Sequence, residues 1–595
     1  VAIIGAADAV KIKLCVDNGD WAKSKWRNTF IRRGEVVPLI SFAELDISTK
    51  MELGMRYFEL SCAYLGLFYK HHHMNYKKLT TLGICTVGAV TPALSKEAQT
   101  EKKQTRKPNI IFMMSDDHAY QAISAYGSIV NKTPNIDRIA NDGAIFTHNY
   151  CANSISSPSR ACVLTGKHSH LNGVLTWEAI DTAQVTFPKI LHSNGYHTGI
   201  FGKWHLGSNP AGFDEWMVYP GQGSYYNPDY LTAKGPVKIE GYSEEVTTGL
   251  ALDFLKRQSN SDQPFLLICN FKAPHRTWMP GPKYLTMYAN DTIPEPDNLF
   301  DDYSDRATPA SQNLMSIDKD MHLGYDLKVP IGEDYWDKIG GYERMTPDQK
   351  DAWCKAYGPE IYKFMAEKPK GKDLVRWKYQ HYMKDYLRCV AAVDDNVGRI
   401  LDYLKEHNLE ENTIVVYCAD QGFYLGEHGW FDKRWMYEES FRMPLVMRWP
   451  NGIKKGVKID QLTQNIDFAP TLLDAAGIKA PKEMQGKSML PLLEGKKVKW
   501  RDALYYHYYD HIGEHGVARH YGVRTDRYKL IHFYTTDEWE LFDLEKDPKE
   551  MHSQYNNPAY ADVKKMLLKK LEQLKVEYQI PDSLTKALME KFDKK

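Results

Sequence analysis

The chain has 595 residues, of which 12% are aromatic and 26% charged. Such a length and composition exclude a disordered or low-complexity protein and allow more than one domain around a sizeable core. Lysine and arginine number 76, as do aspartate and glutamate. No global field therefore argues for nucleic acid or an anionic membrane surface as partner, and any anion binding is local.

Taken in chain order, the first signal begins at Met74. The run MNYKKLTTLGICTVGAVTPALSK has two lysines, a short apolar stretch and Ala93-Leu94-Ser95 before a lysine-rich polar segment. That order predicts a signal peptide over 74–95, with residues 1–73 a non-native upstream segment or an extension, and export to the periplasm or medium. The apolar part is too short to span a membrane. His71, His72 and His73 then precede the mature chain. Beyond residue 95, Cys151, Cys162, Cys269, Cys354, Cys389 and Cys418 show no zinc or redox spacing and read as small core residues, although export permits a disulfide.

Four apolar runs end in polar residues: NIIFMMSDDH (109–118), HTGIFGKWHLG (197–207), PFLLICNFKAPH (264–275) and NTIVVYCADQG (412–422). Continuous runs rich in Ile, Val and Phe predict strands buried on both faces of a mostly parallel sheet. The helical patterns NIDRIANDG (135–143) and AAVDDNVGRILDYLKEHNL (391–409) alternate with them. The expected class is α/β, a large mostly parallel sheet sandwiched by helices. Residues 291–375 read as long loops or an insertion over the strand ends. From about 497, ALYYHYYDH and RHYGVRTDRYKLIHFY predict a smaller C-terminal antiparallel sheet, followed by a helix over 561–578. The expected domains are thus 107–496 and a C-terminal α+β part, 497–595.

In open α/β sheets, ligands bind beyond the carboxyl ends of the strands, where all four polar clusters fall. Asp116, Asp117, Asp420 and Gln421 offer only oxygen ligands, which select a hard cation, calcium ahead of magnesium because protein ligands dominate. In SISSPSRACVLTGK, Pro158 suits a first helical turn with Ser157 as cap. Ser156 then lies just ahead of a helix N-terminus that favours anions. Arg160, Lys203, His205, His275 and Lys433 add cationic or switchable groups able to surround a tetrahedral oxyanion. Taken singly, each has an ordinary structural role; together they favour a metal-assisted ester hydrolase over a lectin-like binder.

The run from Ser156 to Gly166 resembles the type I sulfatase signature C/S-x-P-S-R-x-x-x-L-T-G, in its serine subtype. The resemblance extends through SDDH, GKWHLG, KAPH, ADQG, DKRWMYEESFRMP and ELFDLEKDPKE in family order. It implies the alkaline-phosphatase-like sulfatase fold and oxidation of Ser156 to formylglycine (3-oxoalanine) by a serine-type maturation enzyme. It further implies one calcium ion held by Asp116, Asp117, Asp420, Gln421 and the residue-156 group. Gln421 stands where many relatives carry asparagine or histidine. By the same resemblance Arg160 stabilises the aldehyde hydrate and His205 assists its regeneration. Lys203, His275 and Lys433 contact the sulfate, and His275 or Lys433 protonates the leaving oxygen.

The segments DKRWMYEESFRMPLVMRWP and RHYGVRTDRYKLIHFY resemble bacterial N-acetylglucosamine-6-sulfatases more than arylsulfatases. The expected substrate is therefore a sulfated carbohydrate, 6-O-sulfated N-acetylglucosamine of a glycosaminoglycan or mucin, with His515, Arg519 and His520 as candidate sugar contacts. The alternatives are a phosphodiesterase or phosphonate hydrolase on the same fold and a non-catalytic sulfoglycan-binding protein.

Overall fold

The computed structural model describes residues 106–330, 341–511 and 513–592, together with four short strands nearer the start of the chain. It divides into two units, Val1–Thr105 and Arg106–Lys595. In the first, Ala2–Ala6 pairs antiparallel with Ala9–Lys13, and Thr29–Arg32 with Glu35–Pro38. The expected signal peptide over 74–95 and the three histidines before it lie outside the described residues.

The second unit is built on a ten-stranded sheet. Its strands are β1 (Asn109–Ser115), β2 (Ala144–Phe146), β3 (His197–Gly202), β4 (Glu215–Val218), β5 (Asp229–Thr232), β6 (Gly235–Lys238), β7 (Phe265–Asn270), β8 (Thr413–Ala419), β9 (Leu445–Arg448) and β10 (Val457–Ile459). They run in the spatial order β6-β5-β4-β3-β7-β1-β8-β9-β2-β10. The five from β4 to β8 are mutually parallel. Antiparallel pairing begins at β5 on one side and β9 on the other.

The pleat explains the apolar runs. Ile111, Met113, Leu267, Cys269, Val415 and Tyr417 point to one face, beneath α2 (Ser243–Gln258) and α4 (Lys372–Glu406). Their neighbours Ile110, Phe112, Met114, Leu266, Ile268, Ile414 and Val416 point to the other, beneath α1 (Ser156–Thr165) and α5 (Phe468–Ala475). Both faces are dry, so alternation is absent from the sequence.

Two expectations are corrected. Residues 291–375 are not loop throughout: α3 (Pro347–Glu367) occupies the end of the segment, and α4 begins at Lys372. A capping box starts α3, with Thr346 Oγ1 accepting from the Gln349 N–H (3.3 Å) and Gln349 Oε1 accepting from the Thr346 N–H (2.9 Å). Nor does Ser157 cap α1. The helix begins two residues earlier than such a cap implies, at Ser156 with Ile155 as its cap, and the Ser157 hydroxyl donates to the His205 carbonyl (2.6 Å). Pro158 still falls within the first turn, where no N–H is missed.

The C-terminal sheet has four antiparallel strands, β11 (Ala503–Tyr508), β12 (His520–Thr525), β13 (Tyr528–Phe533) and β14 (Glu538–Asp543). The helix α6 (Ala561–Glu577) packs on it through Leu567, Leu571 and Leu574. This sheet also holds the 426–450 loop. Lys529 of β13 donates to the Met436 carbonyl (2.7 Å) and pairs with Glu438 (3.0 Å) and Glu550 (2.6 Å), while Arg524 of β12 pairs with Glu438 (3.2 Å).

Lys529 is fully buried. Lys529→Met would strand the buried Glu550 carboxylate and leave Glu438 to Arg524, and we expect a loss of about 3–5 kcal/mol in chemical denaturation; an unchanged midpoint would contradict this. Burial opposes ionisation of Glu438, but Arg524 and Lys529 outweigh it and hold the carboxyl below its ordinary 4.5. Its contribution is thus present above that pH and lost as the solution is acidified.

All six described cysteines are free thiols, five of them buried, and no disulfide forms among them. Among the described residues no helix is long and apolar enough to cross a membrane.

Candidate active site

The strand register brings the polar clusters to one edge. Ser115 pairs with Ala419, Met114 with Asn270, and Asn270 with Gly202. The next residues, Asp116, Asp420, Lys203 and the Lys272–His275 turn, therefore leave the sheet side by side. Gly202 permits this because a Cβ there would lie 2.0 Å from the Asn270 carbonyl oxygen, and its φ of 94° suits glycine. Gly422, after Gln421, passes so close to Glu439 and Arg442 that a Cβ would meet their carbonyl oxygens at 2.2 and 2.4 Å. Asp117, His205, Asp432 and Arg434 hold positive φ (68°, 56°, 75° and 94°). Strain in non-glycine residues gathers where geometry is over-determined by function.

Ser156, the first residue of α1, donates its hydroxyl to Asp116 Oδ1 (2.9 Å). Lys203 donates to the other Asp116 oxygen, and Lys433 donates to Asp117 Oδ2 (2.6 Å). Arg160, one turn into α1, donates through Nε (3.2 Å) and Nη2 (2.9 Å) to Asp420 Oδ2, with Nη2 3.7 Å from Asp116 Oδ1. Asp420 Oδ1 accepts from the Asp117 N–H (3.1 Å). His275 donates Nδ1–H to the Arg276 carbonyl (2.6 Å), so Nε2 faces Asp117 Oδ2 at 3.9 Å. Asp116, Asp117, Ser156, Arg160, Lys203, His275, Asp420 and Lys433 thus meet at one edge of the sheet.

Ligand atoms of Asp116, Asp117 and His275 lie within 4.8 Å of one another, an acidic cluster able to hold a metal ion. Two further observations fit a cation. Gln421 Nε2 donates to Asp117, but its Oε1 is buried with no hydrogen-bond partner. Burial, with Asp420 and Asp432 nearby, pushes the Asp117 carboxyl up to about 7 in spite of Lys433. Such a carboxylate lacks positive charge. Asp420 differs: burial is outweighed by Arg160, Lys203 and Lys433, and its pKa is lowered. Both site histidines are shifted toward the neutral form. Burial, then Lys203 and Arg160, lower His205 to about 2, and its Nδ1 is unpartnered. Burial, Lys203 and Lys433 hold His275 well below its ordinary value.

Three neighbours escaped sequence reasoning. Gln222 accepts from Lys203 through Oε1 and from Lys272 Nζ through its carbonyl (3.2 Å). Lys272 is buried, lies 4.7 Å over the Tyr225 ring, and is lowered by burial to about 8. Arg276 is fixed bidentately on Asp326 (2.6 and 3.0 Å). The KAPH motif contained Lys272, whereas Gln222, in a Pro-Gly-Gln-Gly turn, carried no signal.

Of the candidate sugar contacts, His515 adjoins the site, 3.2 Å from Asp432 Oδ2. The other two do not. Arg519 is buried and donates to the Tyr509 and His511 carbonyls (2.9 and 3.2 Å), and His520 is buried among Trp435, Tyr506 and Tyr508. Both side chains point into the C-terminal packing rather than the site.

If Gln222 aims Lys203, Gln222→Ala lowers kcat/KM by about tenfold and Gln222→Glu, which keeps the acceptor, restores most of it. A wild-type value for the alanine variant would remove Gln222 from this role.

A serine at a helix N-terminus, an acidic cluster and flanking cations at the carboxyl edge of this sheet suit a metal-assisted ester hydrolase. The family model "Sulfatase" matches residues 108–478, and "N-sulphoglucosamine sulphohydrolase, C-terminal" matches 426–577. The chain belongs to the sulfatase family and is an enzyme hydrolysing sulfate esters. It is 46% identical over 503 residues to an N-acetylglucosamine-6-O-sulfatase of Bacteroides thetaiotaomicron, covering 82% of this chain and 90% of that one. An arylsulfatase of Clostridium perfringens is 28% identical, covering 78% and 95%. A solved structure, described in complex with its substrate D-glucosamine-2-N,6-O-disulfate, superposes with a TM-score of 0.78 at 46% identity, covering 80% of this chain and 99% of that one.

Proposed function

We propose that the enzyme removes the 6-O-sulfate of N-acetylglucosamine-type sugars, using a formylglycine made from Ser156 by a serine-type maturation enzyme and one calcium ion. The sulfate chemistry rests on one observation: Ser156 Oγ is bonded to Asp116 while Lys203 and Lys433 bond the paired Asp116 and Asp117. The sugar is supported by likeness to the Bacteroides thetaiotaomicron enzyme. The signature around Ser156 and the segment 74–95 are consistent with an exported protein matured on the way.

Asp116, Asp117, Asp420 and Gln421, with the residue-156 side chain, would hold the calcium, which supplies charge that lowers a hydroxyl pKa and offsets an anionic ester. The formyl group, once hydrated, supplies a nucleophile with a second hydroxyl, so that sulfate can leave without water attacking sulfur. Lys203 and Lys433, which bond Asp116 and Asp117, are placed to contact the sulfate oxygens. Arg160 holds Asp420 in place and presents the same guanidinium to Asp116. His205, with its free Nδ1, takes its role in regenerating the aldehyde from the family resemblance; burial and the neighbouring cations make it a weak base in this arrangement. His275 donates its Nδ1–H to a backbone carbonyl, which leaves Nε2 facing the site; His275 or Lys433 would protonate the leaving oxygen.

Desulfation of a panel by the matured protein tests the reading. We expect kcat/KM on N-acetylglucosamine 6-sulfate to exceed that on 2-O-sulfated uronic acids and 4-O-sulfated galactosamine by at least about 100-fold. The reverse order would refute the sugar assignment.

A further inference from the structure

We propose that Trp177 and Tyr325 form an aromatic rim that takes the pyranose ring of the substrate outside the sulfate site, an inference that rests on the sugar-sulfatase reading above. Ser156 is only 2% exposed, so the sulfate-binding groups lie deep. The two rings, by contrast, are 48% and 50% exposed. A lone exposed aromatic residue needs no explanation. These two are distinguished by what they rest on.

The Trp177 ring centre lies 5.7 Å from that of His205, on the loop after β3. Tyr325 has the Arg276 guanidinium 5.2 Å from its ring centre, and Arg276 directly follows His275 on the loop after β7. Each exposed ring is thus seated on the segment that carries one of the two histidines, and β3 and β7 are neighbouring strands.

The Trp177 turn is also rigid. Glu178 Oε2 accepts from the Leu175 and Thr176 N–H groups (3.0 and 2.7 Å), and Asn153, three residues before Ser156, donates to the Leu175 carbonyl (3.0 Å). The Ile180 N–H donates to the Leu206 carbonyl (2.9 Å), and Ala179 packs so tightly on Gly207 that a Cβ there would lie 2.8 Å away. On the other side, Arg276 is clamped by Asp326 and by Glu514 (2.8 Å). Exposed rings held this firmly lose little entropy on meeting a ligand.

The C–H faces of a pyranose are apolar and pack on aromatic rings, whereas its sulfate needs the buried cations. An ester on the exocyclic C6 sets the ring one carbon farther from sulfur than a ring-position ester does. The sulfate can therefore enter the deep site while the ring stays at the rim.

Trp177→Ala, Trp177→Phe and Tyr325→Ala, in the matured full chain, test this with three probes: turnover of N-acetylglucosamine 6-sulfate, inhibition by N-acetylglucosamine and inhibition by inorganic sulfate. For the alanine variants we expect KM and the N-acetylglucosamine Ki to rise about tenfold, with kcat and the sulfate Ki within about threefold of wild type. Trp177→Phe should recover most of the loss. A parallel rise in the sulfate Ki, or a fall in kcat at constant KM, would mean that the rings only position the histidine loops and would overturn the proposal, as would no change at all. Failure of the sugar reading is separate, since it appears as wild-type protein that does not desulfate the 6-sulfate.

Discussion

Ser156→Ala should abolish sulfate release, lowering kcat by about 10⁵-fold or more. The substitution removes one oxygen from the first turn of α1 and nothing else. Alanine is a good helix former, and the only hydrogen bond lost is the one to Asp116 Oδ1, which keeps Arg160 nearby at 3.7 Å. The fold and the cationic surround of the sulfate are therefore unchanged. The variant should melt within a few degrees of wild type and still bind inorganic sulfate. What it loses is the atom from which the nucleophile is made, for which no other residue substitutes: Ser157 is committed to the His205 carbonyl and Ser159 to that of Asp420. Retention of more than about 1% of activity would locate the nucleophile elsewhere.

Chelation should lower kcat by about 10³-fold, with calcium restoring it and magnesium restoring less, because oxygen donors from five residues suit the larger, more flexible ion. Asp117→Asn should lose as much and not be rescued. The physical reason is the state of Asp117 without a cation, pushed up to about 7 by burial. A folded-state pKa raised that far means that proton and cation compete below about 7, so calcium affinity should rise between pH 6 and pH 8 and binding should release a proton. Calorimetry in buffers of different ionisation heat measures that release. Calcium at a hundred times its Kd should add about 2.7 kcal/mol to unfolding stability. Full activity in chelator would refute the metal assignment.

Much of this architecture is legible in the sequence because it rests on long-range burial with a local signature. The runs at 109–115, 197–202, 265–270 and 413–419 are apolar on both faces, and each ends where the sheet ends, so the residues that follow had to share an edge. The helix α3 escaped because Gly358 and Pro359 interrupt its pattern. It persists because Trp353, Tyr357 and Ile361, four apart, bury one face. The start of α1 falls two residues before the expected one because proline is tolerated throughout the first turn, so its position does not identify the cap. Gln222 and Arg276 were invisible for a different reason. Their roles come from what the fold sets beside them, Lys203 in one case and Asp326 and Tyr325 in the other, and no local pattern carries that information. His520 and Arg519 looked like site residues in a polar run, but His520 packs among Trp435, Tyr506 and Tyr508, and Arg519, just before β12, is held by the Tyr509 and His511 carbonyls.

The central claim, that Ser156 works as an aldehyde and not as a hydroxyl, is tested most directly by the mass of the tryptic peptide spanning residues 139–160 from catalytically active protein. Oxidation to formylglycine predicts a peptide about 2 Da lighter than the encoded serine form, accompanied by its hydrate about 18 Da heavier than the aldehyde. Active protein whose peptide carries only unmodified serine would contradict it.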